Sequence, residues 1–242
     1  MYEGVHARPD GDSTVARLAK TAAAYGYDGI IVRNHGDAQP SYDADEIETA
    51  YGIDVVSGIE IRTDDAGQAS GLIGNYRSKR DVVCVHGGVL NRFAVEQPKV
   101  DVLAHPVRDG DINHVLAKAA AENGVHLEFN FSRVLRADGG PRVRAIRKLR
   151  KLRELVAGYD VPYVVSADPR SHLQLRGPRE LIALGSVLGF DPGAVETGLK
   201  AWGSIATRNR KRRSERVLEP GVRLEEPTAD TSTDADETGA NR

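Results

Sequence analysis

A single parallel β/α barrel is the fold this sequence predicts, and three observations predict it. Several segments are short, near-continuous apolar runs, among them GIIV, VVCV, VDVLA and PYVV, which is how a strand reads when both faces of its sheet are covered. These runs alternate with amphipathic segments of helical length, the order that builds β/α units. No glycine-rich phosphate loop follows a strand, and Gly71 and Gly74 do not follow one directly, so dinucleotide-binding and P-loop folds are excluded. An open doubly wound sheet is the structural alternative.

The strands are expected at Tyr2–His6, Gly29–Arg33, Asp54–Ile61, Val82–His86, Val100–His105, Val125–Phe131 and Pro162–Ala167. Helical segments between them cover Thr14–Tyr25, Ala44–Tyr51, a weaker stretch near Val89–Val95, Ile112–Asn123 and Val143–Ala157. Pro178–Leu188 and Pro192–Trp202 follow the last strand, each with proline at a plausible first helical position.

The chain has 242 residues, enough for one substantial core, and 40% of them are hydrophobic. The longest apolar run, Leu181 to Phe190, is broken by Gly185 and Gly189 and too short to span a bilayer. The charged start MYEGVHARPDG has no apolar signal core. One cysteine, Cys84, permits neither an internal disulfide nor a thiolate cluster, so a cytoplasmic location is expected. Net charge is only −2, but arginines outnumber lysines 25 to 8 and they cluster. Three regions are expected: a barrel over residues 1–203, a basic segment over 204–218, and an acidic tail over 219–242 without an apolar period, read as disordered.

Five of the seven histidines fall at or just past the end of an expected strand: His6, His35, His86, His105 and His172. Glu60 ends the third strand and Asn130 the sixth. In a barrel such positions converge on one face, where a metal would lower the pKa of water and clamp a phosphate. A lone histidine at a strand end is more often a hydrogen-bonded structural residue, and His114 and His126 read as surface or strand-start positions.

The order VHARPDG, VRNHGD, SGIEIR, VHGG, LAHP and LEFNFS resembles the barrel of the polymerase and histidinol phosphatase (PHP) superfamily, a TIM-barrel-like fold whose enzymes bind metals with strand-end His, Glu and Asp. This chain departs from that pattern. Arg8 stands where a second early histidine is usual, Asp168 comes one place late after Ser166, and His172 three places late. A residue slipped past a strand end points elsewhere, so an inherited metal constellation is expected to be incomplete.

Ser166-Ala167, Leu175-Arg176-Gly177-Pro178, Glu180-Leu181-Ile182-Ala183-Leu184 and Leu188-Gly189 are similar to the ribonuclease P protein component 3 family, archaeal homologues of a eukaryotic ribonuclease P subunit. GYDGIIVRNHG and LEFNFS are similar to it as well, and the likeness runs from Tyr2 to Leu199. It implies a subunit of the ribonucleoprotein that removes 5′ leaders from precursor tRNA. The RNA carries the chemistry, and the protein binds and stabilises it beside other protein subunits. On this reading the chain has no catalytic residue, no metal and no cofactor. The alternative is a PHP-like metal-dependent phosphoesterase using His6, Glu60, His86 and His105.

The basic run RVRAIRKLRKLREL supports RNA contact on its own terms. At about 100° per residue, Ala145, Leu149, Leu152 and Val156 form one apolar stripe. Arg144, Arg147, Lys148 and Lys151 lie together on another face, with Glu154 the sole acidic residue within the run. An RNA backbone, whose counterions are released by cationic contacts, rewards such a face. Arg170, Arg176 and Arg179, near the last strand end, are the further RNA-binding candidates, with Arg176 equally suited to a structural bond. Arg208, Arg210, Lys211, Arg212, Arg213 and Arg216 are expected to follow the last helix, extending RNA contact or meeting the acidic tail. Aromatic residues are 5% of the chain, so phosphate and shape recognition is expected rather than base stacking.

Overall fold

A computed structural model of the chain describes residues 1–214 and the backbone of a short strand pair, Val217–Glu219 with Val222–Arg223. Seven strands pair in parallel in sequence order: β1 (Tyr2–Val5), β2 (Gly29–Val32), β3 (Asp54–Ile61), β4 (Val82–His86), β5 (Val102–Ala104), β6 (His126–Asn130) and β7 (Tyr163–Ser166). Helices follow the strands: α1 (Val15–Ala24), α2 (Ala44–Tyr51), α3 (Ala66–Arg77), α4 (Asn91–Val95), α5 (His114–Asn123), α6 (Ser132–Arg136), α7 (Gly139–Gly158), α8 (Pro178–Leu188) and α9 (Pro192–Arg213). The expected β/α barrel is therefore present, and the expected tail lies outside the described residues apart from the strand pair.

The inner layer takes alternate strand residues. Ile31, Val56, Val82, Cys84, Val102, Ala104 and Val164 cluster together, while their sequence neighbours Ile30, Val32, Val55, Val83, Val85, Leu103 and Val165 join the larger cluster beneath the helices. This is the period-two alternation of a strand applied to a sheet that is apolar on both sides.

β1 and β7 are not paired through a ladder. The gap between them is bridged by Glu3, whose carboxylate accepts from Ser166 Oγ at 2.5 Å and from the Ala167 amide at 3.1 Å, and by a bond from the His6 amide to Pro169 O at 3.0 Å. α9 completes the enclosure. Its Trp202, Ile205 and Ala206 enter the inner cluster, and Trp202 Nε1 donates to Val165 O at 3.0 Å. Gly198 permits this approach: a Cβ there would lie 2.5 Å from a Val165 methyl.

Three helices differ from the expectation, the short α6 (Ser132–Arg136) having no counterpart in the sequence reading. α3 has no counterpart in the sequence reading, because Gly67, Gly71 and Gly74 depress helix propensity and blur its stripe. An Asp65 cap on the Gln68 amide at 2.6 Å and the burial of Ala69 and Ile73 supply what propensity lacks. α9 runs beyond Trp202 to Arg213. Arg208 reaches Asp101 at 2.9 Å, Arg210 reaches Asp54 at 2.9 Å, and Arg213 pairs with Asp81. These aspartates precede or open β5, β3 and β4, at the end of the barrel opposite the histidines. Three arginines of the expected basic segment thus fasten the closing helix to the barrel floor; Lys211 and Arg212 are exposed, and Arg216 lies outside the described residues.

Candidate functional site

The carboxyl ends of the strands gather His6, Asp10, His35, Glu60, His86, His105 and Asp168 around a fully buried Arg33. Arg33 follows directly on β2, and Gly4 on β1 leaves it room: a Cβ there would lie 2.8 Å from Arg33 Nε. Its Nη1 lies 3.1 Å from Glu60 Oε2, and its Nη2 donates to Glu128 Oε1 at 2.7 Å and Asp168 Oδ1 at 2.9 Å. The guanidinium also sits 5.5 Å above the Trp202 ring, which ties the rim to the closing helix.

Glu60 is the hub of the histidines. Its Oε1 lies 2.5 Å from His86 Nδ1 and 3.5 Å from both His35 Nε2 and His105 Nε2, while Oε2 lies 3.6 Å from His6 Nε2. Asp10 holds two rings from behind, with Oδ2 at 2.7 Å from His6 Nδ1 and from His35 Nδ1, while the His35 amide donates to the same oxygen at 3.0 Å. His6 Nε2, His35 Nε2 and Glu60 Oε2 are buried without a hydrogen-bond partner among the described residues.

The electrostatics follow from burial opposed by close charges. Burial lowers the His6 imidazole, but its bonds with Asp10, Asp168 and Glu60 outweigh that and push it up to about 10. Burial likewise opposes the charged forms of His35 and His105, and carboxylates override it to raise both. Glu60 is held well below the usual carboxylate range, against its burial, by Arg33 and His105. Asp168 is held low against its own burial by His105, His6 and Arg33. These shifts favour the protonated imidazole at His6, His35 and His105.

The residues displaced in the motif pattern have different fates. Asp168, one place late, still reaches the centre because its backbone turns into the left-handed region at φ 51°, as does His105 at φ 53°. Arg136 holds that turn by donating to the Ala167 and Asp168 carbonyls at 2.9 and 2.8 Å. His172 does not join. It starts a short 3-10 turn and bonds Ser13 Oγ at 2.9 Å. Arg8 instead donates to the Asp12 carbonyl at 3.0 Å. Motif reading passed over Asp10, Arg33 and Glu128; for Arg33 and Glu128 the available signal was a charge directly after or inside an apolar strand run.

α7 carries the basic face. Leu149, Leu152 and Val156 are buried as expected, Ala145 is half-buried, and Arg144, Arg147, Lys148 and Lys151 are exposed. Lys151 pairs with Asp111 at 2.8 Å, and Lys148 Nζ donates to the Arg108 and Gly110 carbonyls at 3.2 and 3.4 Å. Arg144 and Arg147 have neither hydrogen bond nor ion pair among the described residues. Arg170 is held by Asp10, with Nη1 at 2.8 Å from its carbonyl and 3.2 Å from its carboxylate. Arg176 takes the structural option, donating to the Leu173 and Leu175 carbonyls at 3.2 and 2.7 Å. Arg179 is exposed on the first turn of α8.

Two clefts join this face to the rim. One of about 160 Å³ lies between α7 and the ends of β5 and β6, lined among others by His105, Asn130, Arg108, Arg133, Arg144 and Lys148. Another of about 300 Å³ shares Arg108 and Arg133 and adds Arg136, Arg170 and Asp168. Arg108, Arg133 and Arg136 were not singled out in the sequence because they are scattered through the loops after β5 and β6; the fold brings them into one basic trough.

Parallel strands closed by helices, with histidines and carboxylates at the carboxyl rim, define a TIM-barrel-like β/α protein. Residues 2–214 match the family model described as RNase P subunit p30. The chain belongs to that family. It is 73% identical to Ribonuclease P protein component 3 of Natronomonas pharaonis over 96% of this chain and 98% of the relative, and 64% identical to the protein of the same name in Haloarcula marismortui over 95% and 99%. Among solved structures, a chain in the cryo-EM structure of archaeal ribonuclease P with mature tRNA is similar with a TM-score of 0.79 and 25% identity, covering 94% of this chain and 99% of that one. The histidinol phosphate phosphatase of Lactococcus lactis, in complex with zinc, histidinol and phosphate, matches with a TM-score of 0.53 and 12% identity over 78% of this chain and 94% of that one. That likeness concerns the barrel fold alone.

Proposed function

We propose that this chain is a protein subunit of ribonuclease P, the ribonucleoprotein that removes 5′ leaders from precursor tRNA. Its partners are the ribonuclease P RNA, precursor tRNA and other protein subunits. It serves by binding and stabilising the RNA, and it works in the cytoplasm; among the described residues no helix is long and apolar enough to cross a membrane. The observation that carries this reading is kinship with Ribonuclease P protein component 3 across 98% of that relative's length.

RNA contact is assigned to Arg144, Arg147, Lys148 and Lys151 on α7, with Arg170, Arg176 and Arg179 along the loop after β7 and the start of α8. Arg144, Arg147 and Arg179 are exposed and free of partners among the described residues, which is the state a phosphate contact requires. Arg170 and Arg176 already hold backbone and carboxylate groups, so their part is to shape the loop against RNA.

The deciding experiment is recovery of the chain from its native cell and sequencing of the RNA bound to it. A structured ribonuclease P RNA is the expected outcome; recovery without RNA would refute the reading. The second reading, a metal-dependent phosphoesterase, is favoured by one observation, the convergence of His6, Glu60, His86 and His105. Turnover of a phosphoester by RNA-free protein would be its mark.

A further inference from the structure

The cleft between α7 and the ends of β5 and β6 combines apolar walls with one unanswered donor. Pro106 and Val107 from the loop after β5, with Ala145 and Leu149 from α7, make those walls. Asn130, the last residue of β6, lines the same space. Its Oδ1 accepts from the Ser132 amide at 3.0 Å, which fixes the orientation of the side-chain amide and leaves Nδ2 to be satisfied. That Nδ2 is buried and has no acceptor among the described residues. A buried N–H without an acceptor is rare in folded proteins, and here it borders a space open to a ligand.

Size and charge narrow what fits. A cavity of about 150 Å³ takes a benzene-sized ring, and this one measures about 160 Å³. Its walls suit a flat, uncharged ring with a carbonyl on its edge. A phosphate is the wrong occupant for the interior, because the buried Glu128 carboxylate also lines it and like charges repel. The cations lie where the cleft is exposed. Lys148 is spent on the Arg108 and Gly110 carbonyls and so holds the loop in place. Arg108 and Arg133 share only the exposed Asp109, at 3.2 and 3.9 Å, a kind of pairing that contributes little. Arg144 is exposed and has no partner among the described residues.

We propose that this cleft takes the base of one unpaired pyrimidine nucleotide of the RNA partner. The ring enters between α7 and the loop after β5, a ring carbonyl accepts from Asn130 Nδ2, and the flanking phosphates stay at the mouth on Arg108, Arg133 and Arg144. The inference rests on the ribonuclease P reading and adds base recognition to a surface otherwise expected to bind phosphate and shape. A pyrimidine has one ring and a purine two, so the volume favours the former. Uracil and cytosine each carry a ring carbonyl to meet the asparagine donor, which adenine lacks. The free Arg144 guanidinium suits the outer face of the ring, since arginine planes stack on bases splayed out of single-stranded RNA.

The test uses the full chain and three short RNA backbones of equal length and charge: one without bases, one with a single uracil and one with a single adenine. The uracil strand should bind roughly tenfold more tightly than the base-free strand, and the adenine strand should stay close to the base-free one. Ala145→Leu, at a half-buried helix position, fills the cleft without altering any charge. It should abolish the uracil preference while native circular dichroism and affinity for the base-free strand persist. Asn130→Asp keeps the acceptor for the Ser132 amide, removes the donor, and should abolish the preference as well. Equal affinity for all three strands, a preference for adenine, or a uracil preference that survives both substitutions would overturn the assignment. Free uridine monophosphate should compete far less well than the uracil strand; equal potency would overturn RNA as the source of the nucleotide. The base-free strand reports the cationic surface by itself, so failure of the base pocket and failure of the RNA reading register separately.

Discussion

Glu3 shows how much one buried carboxylate does in this barrel. It spans the seam between β1 and β7 through Ser166 and Ala167, and burial pushes its pKa up to about 7 although the hydrogen bonds and Arg33 pull it down. A raised folded value means the protonated acid is the form the native state favours. Stability from this group is therefore fully present below about 4.5 and is lost as pH rises through about 7, a loss of about 3 kcal/mol. Glu3→Gln should remove that dependence. Denaturant unfolding of both proteins at several values between pH 4.5 and 8 checks it: the stability difference should shift in favour of the variant as pH rises, and a constant difference would show that Glu3 does not titrate in that window. Arg33 illustrates the converse. A charge with three buried carboxylate partners can be read as present in GIIVR, but nothing in the sequence states that it points into the barrel among them.

Two helices decide the behaviour of whole surfaces. α7 has its apolar stripe where periodicity put it, and the structure refines its charges. Lys151 is tied to Asp111 and Lys148 to loop carbonyls, whereas Arg144 and Arg147 are free among the described residues. Replacing Arg144, Arg147 and Lys151 with glutamine should weaken RNA binding and flatten its log–log salt dependence by about one unit for each phosphate no longer neutralised. Reverting Lys151 alone should recover the least, because its carboxylate partner already satisfies it. Binding measured across a salt series tests both statements, and an unaltered slope counts against phosphate recognition by this face. α9 is the second deciding helix. Trp202 is fully buried against the inner strands and over Arg33, so Trp202→Ala should cost about 3–5 kcal/mol, read as a lowered denaturation midpoint with native spectra retained at low denaturant.

At the scale of the molecule, one end of the barrel is sealed by arginine–aspartate pairs and the other gathers the buried histidines and carboxylates. Asp54, Asp81 and Asp101 receive Arg210, Arg213 and Arg208, with Arg77 adding a bond to Asp101 at 2.5 Å. Removing residues 203–242 would take away Ile205, Ala206 and the three α9 arginines that pair with these aspartates, and should abolish cooperative folding. Removing 224–242, an acidic stretch without an apolar period, should leave the melting temperature unchanged. Thermal unfolding of the two truncations separates closure of the barrel from the composition of its tail; a marked loss of stability in the shorter deletion would overturn the view that the tail is dispensable.

By itself the sequence determined the strand order, the apolar stripe of α7 and the strand-end placement of most rim histidines, because periodicity and apolar runs are local and survive without a partner. It left α3 hidden, since glycine weakens local preference and only packing on β3 and β4 rescues that helix. Tertiary structure alone decided that the arginines after Trp202 face Asp54, Asp81 and Asp101, and that Asp10 and Arg33 belong with Glu60. It also decided that Asp168 returns to the centre through a left-handed turn. Each of these depends on groups far apart in the chain meeting at a chosen angle, and no periodicity along one strand encodes that.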